Sequence, residues 1–369
     1  MGNVIVIGGN HHNTLGVIRS LGEKGLRADV VLVTTEKRPF VGYSKYIRSL
    51  LTISQDYDIT SCLLANLKRD DGRSVVICCS DASSSEVDLH TEELTPYFIL
   101  PGAGEQGRIT HLMNKKVMSE LAVECELDIP PSFYPNSHPA NRNEISFPCI
   151  IKPIVSKDGS KEDICVCHHI DEVNEHLTHM GVGNVQIQQF IDKEFEYQLI
   201  GCSTGNEVII PGVSRILRPC KGSNTSFLHY EPVDDNFCDM YRCREYVRRT
   251  GYSGLFSMEF LRDKQGHDYF MEMNFRNDGN AICVTEAGMN LPFIWYLSCT
   301  GQDYGDEMVK PVKASYVMPD CAELKLLLSG QINLMEYMGD LRKTDRFMEY
   351  DRQDPKPFWR MVRAKLHLW

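Results

Sequence analysis

Glu259, Glu272 and Asn274 are the oxygen-bearing side chains that most strongly suggest chemistry in this chain of 369 residues. They lie in FSMEFLRDKQGHDYFMEMNFR, residues 256–276. This stretch reads as two strands folded back at Gln265–Gly266, a two-residue turn with glycine second. Pairing across such a turn sets Glu259 opposite Glu272 and Ser257 opposite Asn274. Met258, Phe260, Met271 and Met273 then point to the other, apolar face. Facing carboxylates repel each other, so the pair costs stability unless a cation sits between them. Oxygen-only ligands suit a hard ion, Mg²⁺ or Mn²⁺, of the kind that also binds substrate phosphates. An acidic hairpin face turned to water has the same pattern, and the rest of the chain must decide.

The elements around the hairpin alternate in kind. Residues 4–7, 28–33, 49–53, 74–79 and 97–100 are apolar runs of strand length with helical stretches between several of them, which predicts an α/β unit with a mainly parallel sheet of buried strands. The first loop, GGNHHNT, leads into a helix expected to begin near Thr14. Its glycines lack the GxGxxG spacing, so it reads either as an anion or substrate site or as plain turn chemistry. His11 and His12 are expected to be surface loop residues rather than metal ligands. From about Thr110 the pattern becomes α+β. An amphipathic helix, HLMNKKVMSELAVEC, is followed by strands at 147–154, 163–169 and 185–191, and then by strands at 195–201 and 207–217.

Composition narrows the class. Hydrophobic residues are 42% and charged residues 24%, as in ordinary globular proteins. No apolar run approaches the roughly 20 residues that span a bilayer, and MGNVIVIGGN lacks the basic start and cleavage site of a signal peptide. The 14 cysteines include no CxxC pair and sit mostly in apolar segments, which suits buried thiols in a reducing cytoplasm. A net charge of -11 argues against general nucleic-acid binding.

Further residues complete a nucleotide-site pattern. Lys152 ends a buried strand before Pro153, where a lysine is costly to bury unless it meets an anion. The loop 156–163 combines Gly159 with Ser156 and Ser160, so its amides could close over phosphates. Taken in order, these residues and the acidic hairpin resemble the ATP-grasp family, closest to the carbamoyl phosphate synthetase large subunit and D-aspartate ligase branch, over about Met113 to Ser298. The resemblance implies a Rossmann-like N-terminal pre-ATP-grasp domain (1–109) that helps to shape the second-substrate site. A small, lid-like subdomain with its preceding helix (110–191), a C-terminal subdomain carrying the metal hairpin (192–302) and an extension (303–369) would follow. It implies that Lys115 and Lys152 touch phosphates, that Gln188, Gln189, Phe190 and Ile191 hold the adenine, and that Glu194, or alternatively Glu196, binds the ribose. Glu259, Glu272 and Asn274 match the metal ligands, and Arg276 matches the arginine that follows them.

The implied reaction joins a carboxylate to an amine through an acyl phosphate, with ATP consumed as its Mg²⁺ complex and ADP and phosphate released. Lys152 and Arg276 are the expected catalytic cations. Arg215, Arg218 and Lys221, in a basic stretch, are expected to recognise an acidic acceptor. The alternatives are an ATP-grasp kinase, a carbamoyl-phosphate-type synthetase, or a non-catalytic nucleotide-binding module. The expected partners are a small-molecule, peptide or sugar carboxylate and an amine, with no nucleic acid, and the expected assembly is a homodimer. At the C-terminus, Phe358, Val362, Leu366 and Trp369 fall on one helical stripe, with Arg360, Arg363 and His367 opposite. Residues 355–369 therefore suit a helix docked on the body or a subunit, or one lying weakly on a membrane surface. The expected location is cytoplasmic, with the inner membrane face as the alternative site for that tail.

Overall fold

A computed structural model describes residues 2–56, 58–135, 145–154, 164–180, 185–219, 226–234 and 237–365. The first unit is a parallel sheet in the strand order Ile47–Ile53, Ala28–Val33, Val4–Gly9, Ser74–Cys78 and Phe98–Ile99. The strand order reverses between Val4–Gly9 and Ser74–Cys78, and in open α/β sheets the crevice beyond such a reversal is where ligands bind. Ile47–Ile53 is not buried as expected. It is the sheet edge, and most of its side chains are exposed or half-exposed. The first helix, His12–Glu23, begins two residues earlier than expected because the His11 side chain accepts the Asn13 amide and caps it. Gly8 permits this tight entry, since a Cβ there would lie 2.3 Å from Thr14 Oγ1 and 2.8 Å from Cys79 Cβ.

A small antiparallel sheet, ordered Ser132–Phe133, Val185–Gln189, Cys149–Pro153 and Cys165–Cys167, forms the second unit. Its strands alternate strictly. Cys149 and Ile151 pack with Val173 of the helix Ile170–Met180, while Ile150, Lys152 and Gln188 turn to the opposite side.

The third unit is a larger sheet, ordered Asp268–Asn274, Gly254–Asp263, Lys193–Ser203, Gly212–Pro219, Ser226–Pro232, Ser315–Met318 and Arg346–Phe347, with Val208–Ile209 beside Lys193–Ser203. One face packs on Lys115–Glu124 and Met240–Thr250 through Met118, Tyr197, Tyr246, Met258, Phe260 and Phe270. The far end of the other face is covered by Leu291–Cys299 and the N-terminal unit, where Ile200, Leu255 and Trp295 share a core with Leu15 and Val4. The near end of that face is left open toward Lys152. Residues 303–369 do not stand apart, because Ser315–Met318 and Arg346–Phe347 extend this sheet.

Among the described residues no helix is long and apolar enough to cross a membrane. The C-terminal helix Lys356–Lys365 docks on the body, burying Pro357 and Met361 and stacking Phe358 edge-on against Tyr350.

Candidate active site

The acidic hairpin is built differently from its expected turn, yet its key pair survives. Asp263 donates to His267 O across a three-residue loop, Lys264–Gly266, with Gly266 left-handed at φ +89. From that loop the register runs Arg262 opposite Asp268, Leu261 opposite Tyr269 and Phe260 opposite Phe270. A bulge at Met271 then shifts it, and Glu259 faces Glu272, Met258 faces Met273 and Ser257 faces Asn274. Without the extra residue, strict alternation from buried Phe270 would turn Glu272 into the core. With it, Met271 lines the cleft instead of joining the apolar face as expected. Met258, Phe260, Phe270 and Met273 are almost fully buried, each contributing roughly 1.5–3 kcal/mol. Their sum outweighs the repulsion between two partly solvated carboxylates, so packing fixes the face even though its charges object.

Cations approach this pair from two other elements. Lys115 opens the helix Lys115–Glu124, which Asn114 starts by accepting the Lys116 amide. The single helix expected here is thus broken, and the break aims Lys115 inward, where Nζ donates to Glu272 Oε2 at 3.1 Å. Lys152, from the small sheet, donates to Gln188 Oε1 at 3.0 Å. Burial, with Lys115 adding like charge, lowers Lys152 to about 8. Burial also lifts Glu259 to about 8, helped by Glu272 and Asp278. At Glu272 burial acts upward too, but Lys115 and Lys152 outweigh it and hold the carboxyl below its ordinary range.

Asn274 is nearly buried and fully engaged. Its amide donates to Ser257 Oγ at 3.2 Å and Glu259 Oε1 at 3.1 Å, and its oxygen accepts from Arg276 Nη2 at 3.1 Å. Arg276 also donates to Asp81 and Asp278, at 3.0 and 3.4 Å, and these carboxylates raise its already high pKa despite burial. Ser257 donates to Asp278 at 2.9 Å, and Gln198 donates to Glu259 at 3.2 Å. Gln198, Asp278 and Asp81 carry no mark of a site residue in the sequence, and Ser257 is marked only as the partner of Asn274. Period-two alternation marks Ser257 and Gln198 as cleft-facing, whereas Asp81 comes from the N-terminal unit and has no local signal.

Among the described residues no three His, Cys, Asp or Glu side chains gather around one point. The donor set is two carboxylates and an amide, all oxygen ligands. It leaves coordination positions for water and phosphate, which fits Mg²⁺.

The described part of the cleft encloses about 280 Å³ and is lined by Lys152, Gln188, Gln189, Phe190, Ile191 and Glu196, with Glu259 and Met271. Gln188 serves to hold Lys152, and donates its own amide to Ser132 at 3.1 Å. Glu196 lies on this wall and pairs with Lys193. Glu194 does not line it, because Glu194 is the extra residue at a bulge beside Lys193 and is exposed. The structure also takes Arg215 and Arg218 away from the cleft, correcting the expectation that they gather there for an acceptor. Arg215 pairs with Tyr197 on the opposite sheet face and lies 4.3 Å over the Phe195 ring. Arg218 is held by Glu323, Glu336 and Asp340 at 2.8, 2.6 and 2.6 Å. Ser156, Gly159, Ser160, Lys221, Leu366, His367 and Trp369 lie outside the described residues.

The glycine loop joins the same site. Asn13 donates to Cys79 O and Asn277 O, both at 2.9 Å, and accepts from Asn277 at 2.6 Å. His11 is exposed as expected. His12 departs from the expectation, being only 6% exposed.

No protein-family model and no curated protein matches the sequence. Solved structures match it in shape. The ADP complex of an N5-carboxyaminoimidazole ribonucleotide synthetase is 14% identical with a TM-score of 0.64, over 85% of this chain and 81% of its own. L-amino acid ligase from Bacillus licheniformis is 14% identical with a TM-score of 0.62, over 85% and 79%. The biotin carboxylase domain dimer of the Hydrogenobacter thermophilus 2-oxoglutarate carboxylase, in complex with MgADP, ADP and bicarbonate, is 17% identical. Its TM-score is 0.64 over 86% and 74%. With three sheets in this order and a cleft between the second and third, the chain has the ATP-grasp fold.

Proposed function

We propose that the protein is an ATP-dependent carboxylate–amine ligase that works through an acyl phosphate. The observation that carries this reading is the convergence on one cleft of two lysines from separate elements and the Glu259–Glu272–Asn274 oxygen set. Neighbours of the same fold named as a ligase, a synthetase and a carboxylase, two of them holding ADP, support it.

In this reading Glu259, Glu272 and Asn274 hold Mg²⁺, which offsets phosphate charge when bound. Lys152 and Lys115 donate to phosphate oxygens, the first becoming fully charged as it meets an anion and the second turning from Glu272 to share its ammonium. Gln188 keeps Lys152 aimed while Gln189, Phe190 and Ile191 form the base-binding edge. The backbone N–H of Phe190 is already spent on Pro148 O at 3.0 Å, so Ile191 supplies the hinge donor. Glu196, on the cleft wall, is better placed for the ribose than Glu194. A carboxylate oxygen of the substrate attacks the γ-phosphorus and ADP departs. The amine then adds to the acyl carbon, phosphate leaves with the C–O bonding electrons, and the amine loses a proton. Arg276, held rigid by Asp81, Asp278 and Asn274, stabilises negative charge on the acyl phosphate. For the assembly we keep the homodimer, the state named for the biotin carboxylase domain.

ADP release measured over a panel of carboxylic acids, with and without amines, tests this. Release that requires both supports the ligase. A stable phosphorylated product formed without an amine would instead identify a kinase.

A further inference from the structure

Asp81 is fixed beside the candidate site by three contacts to consecutive residues. The backbone N–H of Asn277 donates to Cys78 O at 3.0 Å. Ser84 Oγ donates to Phe275 O at 2.7 Å, and Arg276 Nε donates to Asp81 Oδ1 at 3.0 Å. Cys78 ends a strand of the N-terminal sheet, while Asp81 and Ser84 lie in the first turn of the helix Asp81–Leu89, which Ser80 caps. Strand end and helix start are thus joined to residues 275–277 of the large-sheet unit. Asp81 stands in the crevice where the order of the N-terminal strands reverses. Arg276 Nη2 donates to Asn274 Oδ1 at 3.1 Å, so one guanidinium separates Asp81 from the Glu259–Glu272–Asn274 oxygen set.

The charges around Arg276 do not cancel. Asp81 and Asp278 both accept from it, at 3.0 and 3.4 Å, two carboxylates for one cation. Asp278 is spent inside the protein. It is 5% exposed and also accepts from Ser257 Oγ at 2.9 Å and from the Asn280 amide at 2.8 Å. Asp81 is 32% exposed, and among the described residues Arg276 Nε is its one hydrogen-bond partner, with Oδ2 unused. The surplus negative charge therefore lies on the accessible carboxylate, the arrangement of a subsite for a cation with N–H donors.

We propose that Asp81 receives the second substrate of the ligase, and that this substrate is a primary amine bound as its ammonium ion. The proposal rests on the ligase reading. Asp81 Oδ2 holds the ammonium next to Arg276, which in that reading carries the acyl phosphate. One ammonium proton passes by way of Asp81 to water. The freed nitrogen pair forms the C–N bond, the C–O bond to phosphate breaks with its electrons on phosphate, and the departing phosphate takes the second proton. An uncharged acceptor gains nothing from Asp81.

Hydroxylamine tests this, because it is a nucleophile largely uncharged at neutral pH, whereas an alkylamine is an ammonium. ADP release by the full chain is measured over the carboxylic-acid panel with hydroxylamine, n-propylamine, glycinamide or glucosamine as acceptor. Asp81→Asn keeps an oxygen for Arg276 Nε and removes the charge. It should raise the KM for the alkylamine acceptor about tenfold or more, while kcat/KM for hydroxylamine and the Mg·ADP affinity stay at wild-type values. An equal loss with hydroxylamine and with the amine would assign Asp81 to holding Arg276 and overturn the proposal. So would an unchanged amine KM, or wild-type release with hydroxylamine and with none of the three amines. Mg·ADP binding without release for any acid and acceptor, hydroxylamine included, would instead sink the ligase reading and this assignment with it.

Discussion

Lys115 Nζ stands 3.1 Å from Glu272 Oε2, so the first residue of a helix holds a strand carboxylate 157 positions away. The pair links the lysine proposed to bind phosphate to a carboxylate proposed to bind the metal. It keeps Glu272 ionised in a site where burial and Glu259 both favour the protonated form.

Replacing Glu272 with Gln keeps the size of the side chain and removes its charge. Turnover should fall by about 10²–10³-fold, the usual loss when one preorganised electrostatic group is removed. Steady-state ADP release measures this, and retention of near wild-type turnover would show that the metal ligands are elsewhere.

Glu259 carries the pH dependence of the metal-free chain. Its folded pKa of about 8 lies above the ordinary 4.5, so its stabilising proton is fully in place below pH 4.5 and is lost as pH rises through 8. In EDTA the unfolding midpoint should therefore decline between pH 5 and 8, and Glu259→Gln should flatten that decline. Mn²⁺ must displace the same proton, so its affinity in the absence of nucleotide should rise over this window. A wild-type profile as flat as the variant's would be evidence against a raised Glu259.

Lys152 has the opposite sign. Its pKa, lowered to about 8 from 10.5, means the free chain loses this ammonium above pH 8, and a bound phosphate must restore it. Mg·ADP affinity should drop by up to about tenfold between pH 8 and 9. Lys152→Arg should remove that drop, because guanidinium stays charged. Binding titrations at three pH values decide the matter.

Arg218 should behave as a structural residue. It clamps Glu323 and Asp340, on the helices Asp320–Leu328 and Leu334–Lys343, to the end of the central strand Gly212–Pro219 of the large sheet. Arg218→Ala removes the cation from beside a fully buried Glu323 and should cost about 3 kcal/mol or more. Calorimetry should report a fall of several degrees in the midpoint while Mg·ADP affinity holds. A normal midpoint with a weakened carboxylate KM would return Arg218 to the substrate.

Much of the site could be read from local pattern. Alternation in FSMEFLRDKQGHDYFMEMNFR put Glu259 and Glu272 on one face, because buried Met and Phe side chains dictate which way a strand turns. Lys152, at the end of an apolar strand, was marked by the cost of burying an amine. The route to the Glu259–Glu272 pairing differs from the expected one. A three-residue loop replaced the two-residue turn, and the bulge at Met271 restored the register, a compensation that depends on how Phe270 packs against Tyr246 and Phe260. Arg215 and Arg218 looked like acceptor ligands because charge is visible in a sequence and its partner is not. Glu323 and Asp340 lie 105 and 122 residues away from Arg218. His12 gave no sign that it would be buried beside the C-terminal helix, since nothing within its own loop encloses it. Strand faces, caps and buried charges follow from neighbours a few residues apart and were determined by the sequence directly. Ion-pair partners, bulge register and cavities are set by contacts between distant segments, and only the tertiary structure decided them.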